Sequence, residues 1–142
     1  MKFATLAAAI LAIPAAFAAN STTVSVSYDE VYDNASGSLT TVACSDGKNG
    51  MLTKGFTTFG SLPTFPNIGG APAIAGWNSD ACGTCWELSH NGTSIHVLAI
   101  DAGGKGFNIA LSALNKLTNG TAVQVGRINA TATPANASAC GL

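Results

Sequence analysis

The sequence has few charged residues, and this scarcity excludes several classes of protein. Only 9% of the 142 residues are charged, against about 25% in ordinary soluble domains. Disordered chains are charge-rich and apolar-poor, so the 47% apolar content excludes disorder driven by charge. A net charge of −1 and the lack of any basic run argue against binding to nucleic acid. The composition therefore favours neutral, polar partners.

A long apolar run is also missing after residue 18. A short basic start at Lys2 is followed by an apolar run over residues 3–17, and Ala18 completes the small-residue pattern of a signal-peptidase site. The run is shorter than the roughly 20 residues that a membrane-spanning helix requires. We therefore expect a secretory signal peptide at residues 1–18, a single mature domain at residues 19–142 and no membrane partner.

Secretion decides how the cysteines are interpreted. An even set in an oxidising compartment predicts two disulfides among Cys44, Cys82, Cys85 and Cys140. A redox role for the C-x-x-C at residues 82–85 needs a βαβ context that the sequence lacks, and the two histidines lie too far apart for a second zinc-ligand pair. Four cysteines allow three pairings. We expect no metal and no cofactor.

Short alternating segments separated by turns indicate an all-β domain with minor α content. Period-two alternation or short apolar runs predict strands over residues 24–28, 40–44, 85–88, 94–100 and 123–128. Residues 60–76 contain three prolines and four glycines and predict a long loop. Leucines at three-residue steps predict one helix over residues 109–117, with Ser112 as its cap. The tail after Asn129 has weak preferences. A small barrel or sandwich accounts for this order of elements.

Glycosylation signals are frequent in the sequence. N-x-Ser/Thr sequons begin at Asn20, Asn34, Asn91, Asn119, Asn129 and Asn136. Because Asn91 and Asn119 lie in predicted turns, they are the favoured glycosylation candidates.

Several short motifs occur together in one order along the chain. They are VSVSYD at residues 24–29, VACSDG at 42–47, LPTFPNIGG at 62–70, IAGWNS at 74–79, CGTCW at 82–86, ID at 100–101, GFN at 106–108 and GR at 126–127. With these motifs the sequence resembles the cerato-platanins, small secreted proteins of filamentous fungi. It departs from that family after Arg127, where residues 130–139 are less apolar than the family's last strand.

The resemblance implies both a fold and a function. The fold is a six-stranded double-psi β-barrel, as in the first domain of expansins, with one or two short helices and the disulfides Cys44–Cys82 and Cys85–Cys140. The function is binding of chitin or other wall polysaccharide through N-acetylglucosamine oligomers, with loosening of polysaccharide networks but no hydrolysis. It also implies an extracellular, fungal cell-wall location, self-association at interfaces, and elicitation of plant defence through a plant receptor.

Asp101 is the acidic residue placed as functional acids often are, where a strand meets a glycine-rich loop. Three roles compete for it: accepting hydrogen bonds from loop N–H groups, binding sugar, and catalysis. Hydrolysis with inversion needs a second carboxylate as base, and the spacing of the acids reveals none. By resemblance, Asp101 matches the acid that expansin-like barrels place in their polysaccharide groove.

Sugar recognition pairs aromatic faces with a few polar groups. The candidates, besides Asp101, are Tyr28, Trp77, Asn108 and Arg127, with Trp86 as a further aromatic. The alternative for both tryptophans is core packing against the disulfides. Arg127 either forms a buried ion pair with Asp101 or simply caps a strand.

Three functions are compatible with the sequence. The first is a carbohydrate-binding wall protein that does not hydrolyse its ligand, and the second is a surface-active elicitor with incidental sugar affinity. The third is an endoglucanase, which release of reducing sugar separates from the others. Binding to chitin oligomers separates the first function from the second.

Overall fold

The computed structural model describes residues 20–142. The predicted signal peptide at residues 1–18 lies outside the described residues and stays a prediction. Six strands form the framework of the described part, and in chain order they are β1 (Thr22–Tyr28), β2 (Ile68–Ala71), β3 (Cys85–His90), β4 (Thr93–Ala102), β5 (Phe107–Ile109) and β6 (Arg127–Ala135).

The strands close into a barrel in the order β1-β5-β2-β4-β3-β6. The β1–β5 and β2–β4 pairs are parallel, and the other four pairs are antiparallel. Closure leaves these strands without an unpaired edge for another chain to extend. The predicted fold class, an all-β six-stranded barrel with few short helices, is confirmed.

Helical structure is limited to short elements around the barrel. The α-helices are α1 (Leu111–Leu117) and α2 (Ala122–Val125). Single 3₁₀ turns occur at Glu30–Asp33, Leu39–Thr41, Leu52–Lys54, Phe59–Ser61 and Ala137–Cys140. The segments between strands therefore contain short hydrogen-bonded helical turns and are not simply extended.

Helix α1 begins differently from the sequence prediction. Ala110 is the cap residue, and the N–H groups of Leu111 and Ser112 donate to the carboxylate of Asp33 over 2.7 and 3.0 Å. The Ser112 hydroxyl donates to the same carboxylate instead of capping the helix. A negative charge at this end also complements the helix dipole. The capping group comes from a segment 78 residues away, so the local sequence did not reveal it.

One strand prediction was wrong, and another was right only at Arg127 and Ile128, the first two residues of β6. Residues 40–44 form a 3₁₀ turn and bends, because the Ala43 and Cys44 N–H groups donate to Asp101 and to the Ile100 carbonyl rather than to a strand ladder. Residues 122–125 form α2, and Gly126 at φ 69° ends it before β6 begins at Arg127. Gly favours this left-handed conformation because it lacks Cβ.

Strand β2 was not predicted, and β6 was predicted only at its start. The predicted loop over residues 60–76 contains β2, whose four residues are all buried. The weak tail after Asn129 forms most of β6, in which Ala130 and Ala132 face the core and their neighbours are exposed. Alanine is enough on that face because β6 packs between β1 and β3, which supply both ladders.

The disulfides join loops to the barrel. Cys44–Cys82 and Cys85–Cys140 have Cα separations of 5.4 and 5.7 Å, within the usual range. This is the pairing that the resemblance implies. Cys44 and Cys85 are almost fully buried, so both bridges belong to the hydrophobic core.

Residues 20–142 contain neither a candidate membrane-spanning helix nor a candidate metal-binding cluster. None of the helices there is long and apolar enough to cross a membrane. Nor do three or more His, Cys, Asp or Glu side chains in that part of the chain gather where they would hold a metal ion.

The disulfides are expected to supply much of the stability of the domain. Their loops span 38 and 55 residues, and the chain-entropy model assigns each bridge about 4 kcal/mol, comparable to the whole net stability of a small domain. We expect reduction under native conditions to unfold the protein, measured by near-ultraviolet circular dichroism. A reduced protein that keeps its native spectrum and melting temperature would contradict this account.

Candidate functional site

A row of paired residues crosses five of the six strands of the barrel. Asp101 on β4 pairs with Gly70 on β2, and Gly70 pairs with Asn108 on β5. Asn108 pairs with Ser27 on β1, and Ser27 pairs with Arg127 on β6. Side chains of paired residues project from the same face of a sheet. The register therefore brings together Asp101, Asn108 and Arg127, three of the five residues predicted for a sugar site.

One position in this row, Gly70, has no side chain. A Cβ atom added to Gly70 would lie 2.5 Å from the carbonyl oxygen of Ala102, closer than real Cβ contacts. Gly70 is therefore required by the close approach of the backbone at the end of β4. The backbone of Ala102 and Gly103 fills the space beside Gly70, so no side chain of the row lies between Asp101 and Asn108.

On the Asn108 side of Gly70 lies a shallow polar groove of about 410 Å³. Its polar lining consists of Ser25, Ser27, Lys105, Asn108 and Arg127. Within it the Ser27 hydroxyl donates to the Asn108 side-chain oxygen, and an Arg127 Nη1 donates to the Ser25 hydroxyl, each over 3.1 Å. These two bonds hold an amide and a guanidinium at the surface with further donors free for a ligand.

Asp101 lies beside the groove, but its carboxylate is bonded to the protein. One oxygen accepts the N–H groups of Ala43 and Ala102 over 3.0 and 2.9 Å. The other oxygen accepts the Tyr32 hydroxyl over 2.9 Å. The hydrogen-bonding role that the sequence analysis left open is therefore filled, and Asp101 fastens two loop segments to β4.

Tyr32 is a residue at this site that sequence reasoning missed, as it missed Ser25, Ser27 and Lys105 in the groove lining. Its ring is buried and packs at 6.0 Å from that of Phe59. Burial, followed by the negative charge of Asp101, raises the pKa of Tyr32 well above its usual range, so the hydroxyl stays a donor. The sequence carries one signal for Tyr32: it lies in an acid-rich segment, and it is one of the two tyrosines in the chain. That signal does not point to Asp101.

Trp77 lies on a neighbouring loop with 62% of its side chain exposed. Its indole N–H donates to a carboxylate oxygen of Asp46 over 2.7 Å. The next residue, Asn78, donates its N–H to the carbonyl of Ala43, whose own N–H binds Asp101. One residue, Ala43, thus links the Trp77 loop to Asp101, and the indole face is open to solvent.

The remaining aromatic candidates do not face the groove. Tyr28 is half-buried and packs against the core, on the opposite side of β1 from Ser27. Trp86 donates its indole N–H to the Thr84 hydroxyl and packs edge-to-face on Phe107 at 5.8 Å. For Trp86, core packing is therefore the role that the structure supports.

Arg127 does not form a buried ion pair with Asp101. The arginine is exposed at the start of β6, and its recorded bond is to Ser25. The histidines occupy strand and turn positions: His90 contacts the carbonyl of Asn129, and His96 lies 3.6 Å from Glu87 across β3 and β4.

Comparison with known proteins identifies the family. A model of the cerato-platanin family matches residues 24–142. The allergen Asp f 15 of Aspergillus fumigatus is 56% identical over 117 residues, covering 82% of this chain and 76% of the allergen. The crystal structure of cerato-platanin 3 from M. perniciosa has a TM-score of 0.82 at 51% identity and covers 85% of this chain and all of that one. The chain belongs to the cerato-platanin family.

Two further solved structures are similar. The solution structure of the fungal elicitor cerato-platanin has a TM-score of 0.75 at 43% identity, covering 82% of this chain and 96% of that one. An expansin from Clavibacter michiganensis, in a variant crystallised with cellohexaose, has a TM-score of 0.59 at 13% identity. That match covers 82% of this chain and 51% of the expansin, and it shows the fold alone. The barrel is of the double-psi type that the sequence resemblance implies.

The Trp77–Asp46 contact predicts an acid transition. The hydrogen bond from Trp77 lowers the pKa of Asp46 below its ordinary value of 3.8. A carboxyl with a lowered folded-state pKa holds its contact above that pKa and loses it as the pH falls through it. We expect the Trp77 indole N–H resonance to titrate with a midpoint below 3.8.

The control for this titration is Asp46→Asn, in which the acid transition of the Trp77 resonance disappears because no carboxyl remains to titrate. A midpoint at or above the ordinary aspartate value would show that the indole does not stabilise the ionised carboxylate.

Proposed function

We propose that this protein is secreted into the fungal cell wall and extracellular space, where it binds chitin or a related wall polysaccharide and loosens the network without hydrolysis. The observation that carries the proposal is the polar groove at the Asn108–Arg127 end of the row. From β5 to β6 two strand spacings of about 4.8 Å make this part of the row about 10 Å long across the surface. That length accommodates a short oligosaccharide.

The chemistry of the groove suits a neutral oligosaccharide. Amide, hydroxyl and guanidinium groups of Asn108, Ser27 and Arg127 exchange hydrogen bonds with sugar hydroxyls and N-acetyl groups. The exposed face of Trp77, held by Asp46, offers a stacking surface on the neighbouring loop. Binding that competes with chain-to-chain hydrogen bonds is enough to loosen a network. We expect dissociation constants from about millimolar to micromolar, or about −4 to −8 kcal/mol.

The distribution of carboxylates supports binding without cleavage. Hydrolysis by either glycosidase geometry requires two carboxyl groups flanking the bond. In the described residues six of the seven acids already contact protein groups. The seventh, Glu30, is exposed on the 3₁₀ turn Glu30–Asp33 and has no place in the groove lining. Asp101 itself is bonded on both oxygens.

The extracellular location rests on several features together. The signal-peptide pattern at residues 1–18 predicts export, and two buried disulfides suit an oxidising compartment. The relatives include proteins of fungi such as Aspergillus fumigatus. A polysaccharide partner agrees with the expansin that was crystallised with cellohexaose on the same fold.

A surface-active elicitor is the second candidate function. Four large apolar side chains in the described residues are exposed, namely Val31, Trp77, Val123 and Val125, and such side chains favour adsorption and self-association at interfaces. A similar structure is that of a fungal elicitor. In this case sugar affinity would be incidental, and a plant receptor would be the relevant partner.

Substitutions in the groove test the proposed sugar binding. We expect Asn108→Ala and Arg127→Ala each to weaken binding of N-acetylglucosamine oligomers about tenfold, since each removes donors available to the ligand as well as one hydrogen bond within the groove. Calorimetry or amide-shift titration gives the constants. The matched control is Lys54→Ala, an exposed basic residue outside the groove, which leaves affinity unchanged. If Asn108→Ala and Arg127→Ala bind the oligomers as tightly as the parent protein and Lys54→Ala do, the groove is not the binding site. That result would favour the elicitor alternative.

The Asp101→Asn variant distinguishes a role of Asp101 in holding the two loop segments from a role in catalysis. An amide in place of the carboxylate cannot accept as strongly from Tyr32 and two N–H groups, so we expect a fall in stability of about 2 kcal/mol. We expect the variant to lose sugar affinity only to the extent that it is unfolded. Reducing-end assays on soluble glucan should show no turnover in the parent protein. Steady turnover that Asp101→Asn abolishes in a folded protein would establish the endoglucanase instead.

A further inference from the structure

A second cavity, of about 600 Å³, lies at the opposite end of β4 from Asp101. It is bordered by the β3–β4 hairpin, by the end of α1 and by α2. About eight residues of β4 separate Thr93 in this cavity from Asp101, which corresponds to about 26 Å along an extended strand. The cavity is therefore remote from Asp101, and it shares no lining residue with the polar groove, although its Ile128 is the chain neighbour of Arg127 in the groove.

Two complete sequons meet at the rim of this cavity. Asn91 and Asn119 both line it, together with Thr93 and Thr121, the hydroxyl residues of the same two sequons. The two asparagines are far apart in sequence, and the fold brings them to one opening. Sequence analysis favoured both as glycosylation candidates without indicating that they share a surface.

The backbone presents both asparagines outward. Asn91 and Asn119 are exposed and have φ angles of 45° and 54°, each followed by a glycine that also has positive φ. This is the conformation of tight turn tips, which asparagine tolerates. Neither side-chain amide has a recorded hydrogen-bond partner among the described residues, whereas that of Asn34 accepts the Ser36 N–H.

The cavity between the two sequons has an apolar floor. Leu117, Val125 and Ile128 contribute to its lining, and Val125 is 48% exposed. An exposed aliphatic surface is costly to hydrate. The apolar face of a sugar ring attached at the rim covers such a surface while its hydroxyls stay in water.

We propose that Asn91 and Asn119 carry N-linked glycans whose first N-acetylglucosamine residues lie across this floor. The inference rests on the secretion proposed above but not on sugar binding in the groove. In the modification, the side-chain amide nitrogen loses a proton and bonds to C1 of the sugar. The bond from C1 to a polyprenyl diphosphate carrier breaks, and the diphosphate leaves. The glycans then occupy the end of the barrel away from Asp101.

The first test is the mass of the full chain secreted by a fungal host, before and after peptide N-glycosidase. We expect two glycans, at Asn91 and Asn119. Thr93→Ala should remove one glycan by destroying the Asn91 sequon, and Thr93→Ser should keep it. Asn119→Gly, which retains the left-handed turn, should remove the other. Secreted protein lacking glycan at either asparagine would overturn the proposal.

Failure of export is distinguishable from failure of the modification. If the chain is retained with its own leader, the secretion proposal is wrong, and the same masses are measured after export with a heterologous leader. Glycans at both asparagines under that leader support the inference, and their absence overturns it.

The position of the sugars is tested by nuclear Overhauser effects in protein carrying ¹³C-labelled glycan. We expect contacts from the first N-acetylglucosamine to methyl groups of Val125 or Ile128. Enzymatic trimming of each glycan to that single sugar should preserve these contacts. Glycans that are present but show no contact with the floor would refute the covering role.

Discussion

The three hydrogen bonds that Asp101 accepts are the constraint on which the site depends. They fasten Tyr32 and Ala43, from two separate segments, to the end of β4. Ala43 in turn accepts the Asn78 N–H and so holds the Trp77 loop, and the neighbouring Cys44 is bridged to Cys82. The Asp101 carboxylate therefore holds the loop segments that cover one end of the barrel. This role explains the acidic residue at the end of β4.

In the proposed function, the same constraint favours binding over cleavage. A general acid or base must exchange a proton with the substrate, whereas the Asp101 oxygens already accept protein donors. The groove itself offers amide, hydroxyl and cationic groups, and Asp101 is not part of its lining. Binding by such groups is reversible and weak, as displacement of one polysaccharide chain from another requires.

Much of the fold was predictable because the motifs lie in order along the chain and the disulfide pairing followed from the resemblance. The errors have a common physical cause. Residues 40–44, β2 and β6 take their structure from contacts with distant segments, and alternation or composition within a short window does not report those contacts. Asp101, Asn108 and Arg127 were identified from sequence, but their common row comes from strand register. Tyr32 was missed for the same reason, and Tyr28 was wrongly grouped with residues on the other side of its strand.

The central claim is that the polar groove, and not Asp101 or the cavity at Asn91 and Asn119, receives the sugar. The most direct measurement is an amide-shift map of the ¹⁵N-labelled protein titrated with N-acetylglucosamine oligomers. The account predicts that the shifts concentrate at Ser25, Ser27, Asn108 and Arg127, extend to Trp77, and leave the hairpin at Asn91 unchanged. Shifts confined to other surfaces, or none at millimolar ligand, would contradict it.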